Sequence, residues 1–446
     1  METQIKSREI KSSTMNNQDP FLFFEKNSEK IFEALSQLEP LCGFPLYTSI
    51  DVRDAGWKLG VVDVNIFPAG WNNLIERDIQ RAAQKLSQFL ESKTGHKGPW
   101  KVAVFPEANT NNLGYLENLF GLQKILERAR ASSKILWPGQ PELPKPWTVK
   151  TLKGHEITYH PSVEALKEAE LILLNHDLSG GIPESLKKIT LPVFPSPNLG
   201  WFQRRKSHHF DIVDSILKIV SEKVPGFDPF YFSPRSRAFL EPDFESDEGL
   251  EIMAQSAESL LSEIQEAYTL RGIPYKPRLF MKNDAGTYGM GVISLKNPDE
   301  IRAATRKLKS KMRVGKESVP VKQILFQEAI PSALNYEDAQ FGQKVTGEPV
   351  VYIVNGEPIG GFLRIHEKLG LDSETENLNQ PGSILESLEC PDHEGRPPRN
   401  FPKIRGFNTC QQLGPKQLYG FLAKLHSVAA GLEECPSNEC KENFGR

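Results

Sequence analysis

The amino-acid sequence predicts an α/β protein, α+β over its whole length, with a mostly parallel sheet first and glycine-punctuated hairpin strands after it. Three observations predict this. Between about residues 45 and 220, short β-branched runs alternate with stretches of helical periodicity, the pattern of βαβ units. Beyond the long helical stripe at 249–268, strand-like runs are separated by glycine turns instead of helices. The length, 446 residues, allows two or three lobes at roughly 150 residues per domain.

The elements follow in order. Residues 1–20 are polar and read as a disordered tail. The first domain is expected over 21–224. In it, Leu59 to Phe67 is β-branched and apolar and reads as a buried strand. Ile79, Ala82, Ala83, Leu86, Phe89 and Leu90 then recur at helical spacing. Lys101 to Phe105 is a second strand, and Tyr115 to Leu126 a second helix. Leu171 to Leu174 and Leu191 to Phe194 are further short buried runs. The second domain is expected over 225–446. It opens on a Pro-, Asp- and Phe-rich linker at 225–248. The helix at 249–268 carries one apolar stripe of Leu250, Met253, Ala257, Leu260, Leu261, Ile264 and Tyr268, which is core. A last helix around Leu418, Leu422, Leu425, Val428 and Leu432 is expected to pack internally.

Composition narrows the class. Hydrophobic residues at 39% and charged residues at 25% provide a sizeable core and exclude a disordered chain. The net charge of −3, from 54 basic and 57 acidic residues, gives no global field for nucleic acid or an anionic membrane. Five cysteines, an odd count, argue against a disulfide framework, and Cys435 and Cys440 have no second pair to complete a zinc site. The early apolar run Phe21 to Phe24 is too short for a signal peptide or a membrane span. The expectation is a cytoplasmic protein with small-molecule partners, no nucleic acid and no membrane, its oligomeric state left open.

Polar clusters follow the predicted strands: Asn65 with Asn72 and Asn73; Glu107, Asn109, Asn111 and Asn112; Asn175, His176 and Asp177; Ser196 with Asn198. Asn and Asp favour turns for local reasons. Four such clusters at successive strand ends point instead to a ligand cleft beyond the carboxyl ends of the strands.

The sharpest motif runs from Arg278 to Ile293. A strand ends in Lys282, a loop carries Gly286, Gly289 and Gly291, and a second strand follows at Val292 to Leu295. Glycines let backbone amides approach an anion and permit positive φ, and the lysine, expected to be exposed, supplies a point charge for phosphate. The spacing Lys-x-x-x-Gly-x-x-Gly-x-Gly is neither a Walker loop nor the dinucleotide fingerprint, so a dinucleotide oxidoreductase is disfavoured. A strand–glycine loop–strand reads as a flap over phosphates. A hairpin without a ligand needs one or two glycines, not three and a lysine. Downstream, the strand Gln323 to Pro331 ends in Gln327-Glu328. A hairpin from Glu348 to Ile365 turns at Asn355-Gly356, a type I′ signal. Arg364 lies on its returning strand, with Glu376, Asn377 and Asn379 shortly after. An arginine and oxygen ligands near such a flap suit phosphates and Mg2+.

These residues in this order resemble an ATP-grasp ligase: the Lys282 flap, the Gln327-Glu328 strand end, the hairpin with Arg364, and the Glu376-to-Gly382 loop. The segment Pro195 to Lys206 resembles the place where such ligases set their first ATP-contacting lysine, here Lys206. More narrowly, Asp63 to Asn73, Lys282 to Val292 and Val351 to Lys368 resemble the proteobacterial, ATP-grasp type of glutamate–cysteine ligase, over roughly residues 45–385. The resemblance implies an ATP-grasp fold with a Rossmann-like, parallel-sheet pre-ATP-grasp domain at 21–224. It implies ATP-dependent joining of the γ-carboxylate of L-glutamate to L-cysteine through an acylphosphate, the first step of glutathione synthesis, with ATP and Mg2+ as cofactors. On this resemblance Arg364 and Lys282 are catalytic. Lys206, Lys282, Gly286, Gly289, Gly291, Gln327 and Glu328 bind ATP. Asn65, Asn72, Asn73, Glu107, Asn109, Arg364 and Asn377 form the amino-acid pocket, and Glu376 and Asn379 hold the metal. The late Glu/Asp…Glu-x-Asn metal pattern usual in the superfamily has no clean copy after residue 390. Another ATP-grasp ligase, joining a different acid and amine, and an inactive nucleotide-binding regulator are the alternatives.

Overall fold

The computed structural model describes residues 19–39, 43–108, 112–139, 142–286, 291–304, 312, 321–333, 335–337, 344–370, 383–387, 403–404, 407–408 and 417–434. Helix α1 (Pro20–Ser36) starts with proline at its first position and is capped by Asp19, whose carboxylate accepts from the Phe21 amide at 2.9 Å. The helix therefore begins inside the stretch expected as tail, whose residues 1–18 lie outside the described residues.

Strands β1 (Tyr47–Asp54) and β2 (Leu59–Asn65) form an antiparallel hairpin closed by the Ala55–Lys58 turn. Helix α2 (Glu76–Thr94), β3 (Trp100–Pro106), α3 (Leu113–Arg128), β4 (Ala131–Leu136), β5 (Trp147–Lys150), β6 (Glu156–His160), α4 (Ser162–Leu166), β7 (Leu171–Asn175), α5 (Glu184–Lys187) and β8 (Val193–Phe194) follow. Their six strands make one sheet, β5-β6-β4-β3-β7-β8, parallel except at β5. Helix α6 (Lys206–Lys223) leads to β9 (Ser236–Leu240), α7 (Asp247–Leu270), β10 (Leu279–Asn283), β11 (Val292–Leu295), α8 (Asp299–Arg302) and β12 (Gln323–Glu328). Their strands form a four-stranded sheet, β11-β10-β12-β9. Then come β13 (Asn335–Glu337), β14 (Lys344–Val354), β15 (Glu357–Gly370), β16 (Ser383–Ser387), β17 (Lys403–Ile404), β18 (Phe407–Asn408) and α9 (Leu418–Leu432).

The largest sheet runs β16-β15-β14-β13-β17-β18, and β1 joins it antiparallel to β14, with β2 outside β1. Leu59–Asn65 is a strand as expected, but it does not belong to the parallel sheet. Its β-branched pattern specifies an extended, buried chain and not the partner. The first hairpin therefore crosses the expected boundary at 224/225 and completes a sheet built mainly from the second half of the chain. The expected linker at 225–248 contains β9, the edge strand of the four-stranded sheet.

Side chains alternate across the large sheet. On one face Ile50, Val52, Val64, Val351, Ile353, Leu363 and Ile365 pack against α1, α6 and α9. Of the 15 residues of α9, 13 are buried, so this helix is core, as its apolar periodicity suggests. On the other face Tyr47, Val350, Tyr352 and Phe362 join the parallel-sheet layer through Trp71, α2 and α3. In the four-stranded sheet, Leu279, Met281, Ile324 and Phe326 pack on α7, whose stripe includes Met253, Leu260, Ile264 and Tyr268. The opposite face, with Phe280, Lys282 and Gln327, turns towards the hairpin β1–β2. The turn of β14–β15 has φ of 50° at Asn355 and 74° at Gly356, the positive pair that a type I′ turn requires.

Candidate active site

Where the four-stranded sheet meets the polar face of the large sheet lies a half-open cavity, about 450 Å3 when the open solvent at its mouth is counted. Asp51, Arg53, Asp63 and Glu348 line it from the large sheet, Lys206 from the start of α6, and Lys282 and Gly286 from the flap. Asp51 and Arg53 stand two residues apart on β1, so the pleat turns both to one face.

The charges alternate across that face. The Arg364 guanidinium donates from Nη1 to Asp51 Oδ2 at 2.7 Å and to Glu348 Oε1 at 2.6 Å. Arg53 Nε lies 2.8 Å from Glu348 Oε2. Asp51 faces Asp63 directly across β1 and β2. Like charges opposite one another are unfavourable unless cations separate them. Arg364 serves Asp51, and the Lys206 ammonium pairs with Asp63. Burial pushes the Asp51 carboxyl up to about 6, Arg364 opposing and Glu348 and Asp63 adding to the shift. Burial also works to raise Asp63 and Glu348. There the neighbouring cations, Lys206 and Lys282 in one case and Arg53 and Arg364 in the other, outweigh it and hold both below the usual range.

Pairing between β1 and β2 shifts register between Asp51 and Val52, which leaves Val62 as an extra residue on β2. Its carbonyl accepts from Lys282 Nζ at 2.8 Å, and Gln327 Oε1 accepts from the same ammonium at 2.6 Å. Lys282 is only 5% exposed. The expectation of an exposed lysine is therefore corrected: the strand end is covered by β2. Burial lowers its pKa to about 7, Lys206 and Arg53 acting in the same direction and Asp63 and Glu348 against it.

A buried carboxylate ties the two lysine-bearing elements together. Asp284, two residues after Lys282, accepts from the Ser207 amide at 2.8 Å and from Ser207 Oγ at 2.7 Å, and its carbonyl accepts from the Lys206 amide at 2.9 Å. Asp284 thereby satisfies free amides in the first turn of α6 from outside the helix.

The remaining expected residues are placed as follows. Gly286 is at the cavity. Gly291 has φ of 66° and its carbonyl accepts from Asn283 at 2.8 Å, closing the base of the flap. Gln327 is fully buried, and among the described residues its Nε2 has no hydrogen-bond partner. Glu328 is internal. Its carboxylate accepts from Lys58 Nζ at 2.7 Å, the Tyr268 hydroxyl at 2.7 Å and the Arg235 amide at 2.8 Å, and its own amide donates to the Arg235 carbonyl at 2.7 Å. Arg364 is 8% exposed and sits behind Asp51 and Glu348. Asn65 follows Asp63 on the same face of β2. Gly289, Asn109, Glu376, Asn377 and Asn379 lie outside the described residues.

Asn72 donates to Asn73 Oδ1 at 3.2 Å in a short 3-10 turn. A closed network holds this segment. Asn118 Oδ1 accepts from the Gly70 and Trp71 amides at 2.8 and 3.3 Å. Asn118 Nδ2 donates to Asn175 Oδ1 at 3.0 Å, and Asn175 Nδ2 donates to the Pro68 carbonyl at 3.0 Å. The Tyr115 hydroxyl accepts from the Glu107 amide at 2.9 Å and donates to the Asn175 carbonyl at 2.7 Å. Two of the four polar clusters are thus joined to the Asn72–Asn73 segment, although β2 and the parallel strands lie in different sheets. Asn112 caps α3 through the Tyr115 amide at 3.1 Å, and Ser196 caps a turn, so the turn-forming alternative holds for these two.

Sequence reasoning missed Asp51, Arg53, Asp63 and Glu348 as site residues. The available signal was a charge two residues from another polar group in an apolar strand: Asp51-Val52-Arg53 and Asp63-Val64-Asn65. The latter is also an acid-x-Asn pattern, of the kind missing after residue 390. Asp51, Asp63 and Asn65 present hard oxygen donors on one face, a chemistry that fits Mg2+. Among the described residues, no three His, Cys, Asp or Glu side chains form a metal cluster.

A flap lysine, a helix-borne lysine and a row of carboxylates lie between the two sheets, a charge layout suited to an ATP-dependent carboxylate–amine ligase. The family model described as GshA, glutamate-cysteine ligase, matches residues 26–434, and the chain belongs to that family. A candidate gamma-glutamylcysteine synthetase from Methylobacillus flagellatus KT has a similar structure, with a TM-score of 0.76 and 29% identity over 92% of this chain and 94% of that one. A glutathione synthetase-like effector from Globodera pallida matches with a TM-score of 0.37 and 11% identity, over 82% of this chain and 83% of that one. D-alanyl-alanine synthetase A from Vibrio cholerae matches at 0.30 and 11%, over 78% and 99%. No curated protein sequence matches significantly. No helix among the described residues is long and apolar enough to cross a membrane.

Proposed function

We propose that the cavity binds ATP over Lys206 and Lys282 and that the enzyme joins the γ-carboxylate of L-glutamate to the amine of L-cysteine. A γ-carboxylate oxygen attacks the γ-phosphorus of ATP and ADP leaves. The cysteine nitrogen then attacks the acyl carbon, phosphate leaves with the bonding pair, and the amine gives up a proton. Both steps depend on positioning and charge neutralisation more than on a covalent nucleophile. Lys282, Lys206 and the amides around Gly286, Gly289 and Gly291 would hold the phosphates. Gln327, with its unpartnered amide, would border the nucleotide. Arg53, on the cavity wall, is the arginine suited to meet the transferring phosphoryl group, and Arg364 holds Asp51 and Glu348 in line behind it. Asp51, Asp63 and Asn65 would hold Mg2+, which neutralises phosphate charge when bound. Asn72, Asn73 and Glu107, with Asn109 and Asn377, would supply the amino-acid pocket. A cytoplasmic setting, where ATP and reduced cysteine coexist, belongs to the same proposal.

The family membership carries this reading, and the charge layout of the cavity supports it. The test is ATP turnover with and without each amino acid, with the product identified by mass spectrometry. Glutamate labelled with 18O in its γ-carboxylate should pass one label to the released phosphate. Equal phosphate release without glutamate and cysteine would sink the proposal.

A further inference from the structure

Among the described residues, strand β2 is an edge strand, paired only with β1. Edge carbonyls need partners from outside the sheet. On β2 two of them, at alternate residues, are taken by cations. Val62 accepts from Lys282, and Val64 accepts from Arg204 Nη1 at 2.7 Å. Val64 lies between Asp63 and Asn65, so its carbonyl sets the pitch of the strand where both polar side chains leave it.

Arg204 is itself fixed. Its Nε donates to Glu433 Oε2 at 2.7 Å and its Nη2 to Glu433 Oε1 at 2.9 Å, a bidentate fork with both residues 5% exposed. Its guanidinium carbon lies 4.8 Å from the centre of the Trp201 ring. Glu433 immediately follows α9. Its Oε1 also meets His209 Nδ1 at 2.5 Å, and His209 Nε2 meets His426 Nδ1 at 2.9 Å. With Nδ1 of His209 donating to the carboxylate, its Nε2 accepts from His426. The whole group is buried beneath the first turn of α6. The two cations therefore reach β2 from separate elements, Lys282 from β10 and Arg204 from the segment before α6, while Glu433 is contributed by the far end of the chain.

We propose that Arg204, oriented by Glu433 at the end of α9, is a positioning residue for Asp63 and Asn65 and therefore for the divalent cation that accompanies the nucleotide. This rests on the metal assignment made under Proposed function. Partners that orient ligands typically change metal affinity by about 10- to 100-fold when removed. Neither Arg204 nor Glu433 lines the cavity, so neither touches the reacting atoms.

The experiment measures Mn2+ binding by electron paramagnetic resonance, in the presence of a nonhydrolysable ATP analogue, for wild type, Glu433→Gln, Arg204→Lys, Arg204→Met and Arg204→Met/Glu433→Gln. Glu433→Gln should weaken Mn2+ by about 10-fold or more. Affinity for the analogue measured without metal should stay within about threefold. Arg204→Lys keeps the charge and loses the fork, and should weaken Mn2+ in the same sense. The double variant should be no weaker than Arg204→Met alone, since both changes break one linkage. Wild-type Mn2+ affinity in Arg204→Lys overturns the proposal, whether or not Glu433→Gln folds, and so does a wild type that binds no Mn2+. Absence of glutamate- and cysteine-dependent ATP turnover in the wild type would refute the functional reading and leave the Mn2+ comparison standing.

Discussion

Two buried clusters of opposite charges sit about one strand length apart in this protein, and they are built to different ends. In the first, Lys58 and Glu328 are both 0% exposed. Every strong valence is met: Glu328 takes Lys58, the Tyr268 hydroxyl and the Arg235 amide, and the Lys58 ammonium lies 3.8 Å from the centre of the Phe230 ring. In the second, Asp51, Arg53, Asp63, Glu348, Lys206 and Lys282 face a cavity, and Arg364 backs them. Here two carboxylates oppose each other across strands and two lysines crowd the same space. The first cluster is closed on itself and anchors the β1–β2 turn to the strand end of β12. The second is held together with charge facing inward, as a site needs when it is to receive phosphates. Burial and pairing alone do not separate structure from function. Saturation against openness does.

The largest effect expected is on stability at the closed cluster. Lys58→Met leaves Glu328 buried without its cation and should cost about 3–5 kcal/mol. The check is the urea midpoint, with turnover per folded molecule within about twofold of wild type. A folded variant of normal stability and poor turnover would show that the closed cluster belongs to the site.

At the open cluster the order reverses. Arg364→Lys keeps a positive charge between Asp51 and Glu348 but cannot hold both through a planar fork. Turnover, as kcat/KM, should fall about 100-fold, while the urea midpoint moves by less than the Lys58 variant shows. Asp63→Asn should raise the Mg2+ concentration needed for half-maximal turnover by about tenfold. If it lowers stability and leaves the Mg2+ requirement alone, Asp63 is a partner for Lys206 and nothing more.

The comparison also explains what the sequence disclosed. The flap, the Asn355-Gly356 turn and the α7 stripe were legible because each is a local pattern: glycines, a positive-φ pair, a 3.6-residue period. The carboxylate rail was not, because Asp51, Asp63 and Glu348 come together only when β1 pairs with β14, some 300 residues later in the chain. Strand composition states that a segment is extended and says nothing about its partner, which is also why β2 reads in sequence as a member of the parallel sheet. The partner of the Glu328 side chain is hidden from the sequence for the same reason. The position of Glu328 at a strand end is visible in sequence, and the Lys58 that claims it is 270 residues away.

The smallest effect is the most diagnostic of openness. In the folded protein without nucleotide the Lys282 pKa is lowered to about 7 from its ordinary 10.5, burial being the main cause. Between those two pH values the unfolded chain holds this proton and the folded chain does not. This group therefore makes stability rise with pH across that window. Lys282→Met should flatten that rise, as urea midpoints at several pH values would show, and should leave the protein no less stable near neutrality. Nucleotide binding acts the opposite way. Phosphate oxygens beside the ammonium favour its charged form and raise the pKa again. At about pH 8, ATP should therefore bind with uptake of a fraction of a proton, up to one. Calorimetry in two buffers of different ionisation enthalpy measures that number directly, and the uptake should vanish in Lys282→Met. Binding without proton uptake in the wild type would mean that the Lys282 ammonium stays on Val62 and Gln327 when ATP is bound, a structural group like Lys58, and the distinction between the two clusters would then rest on Lys206 and Arg53 alone.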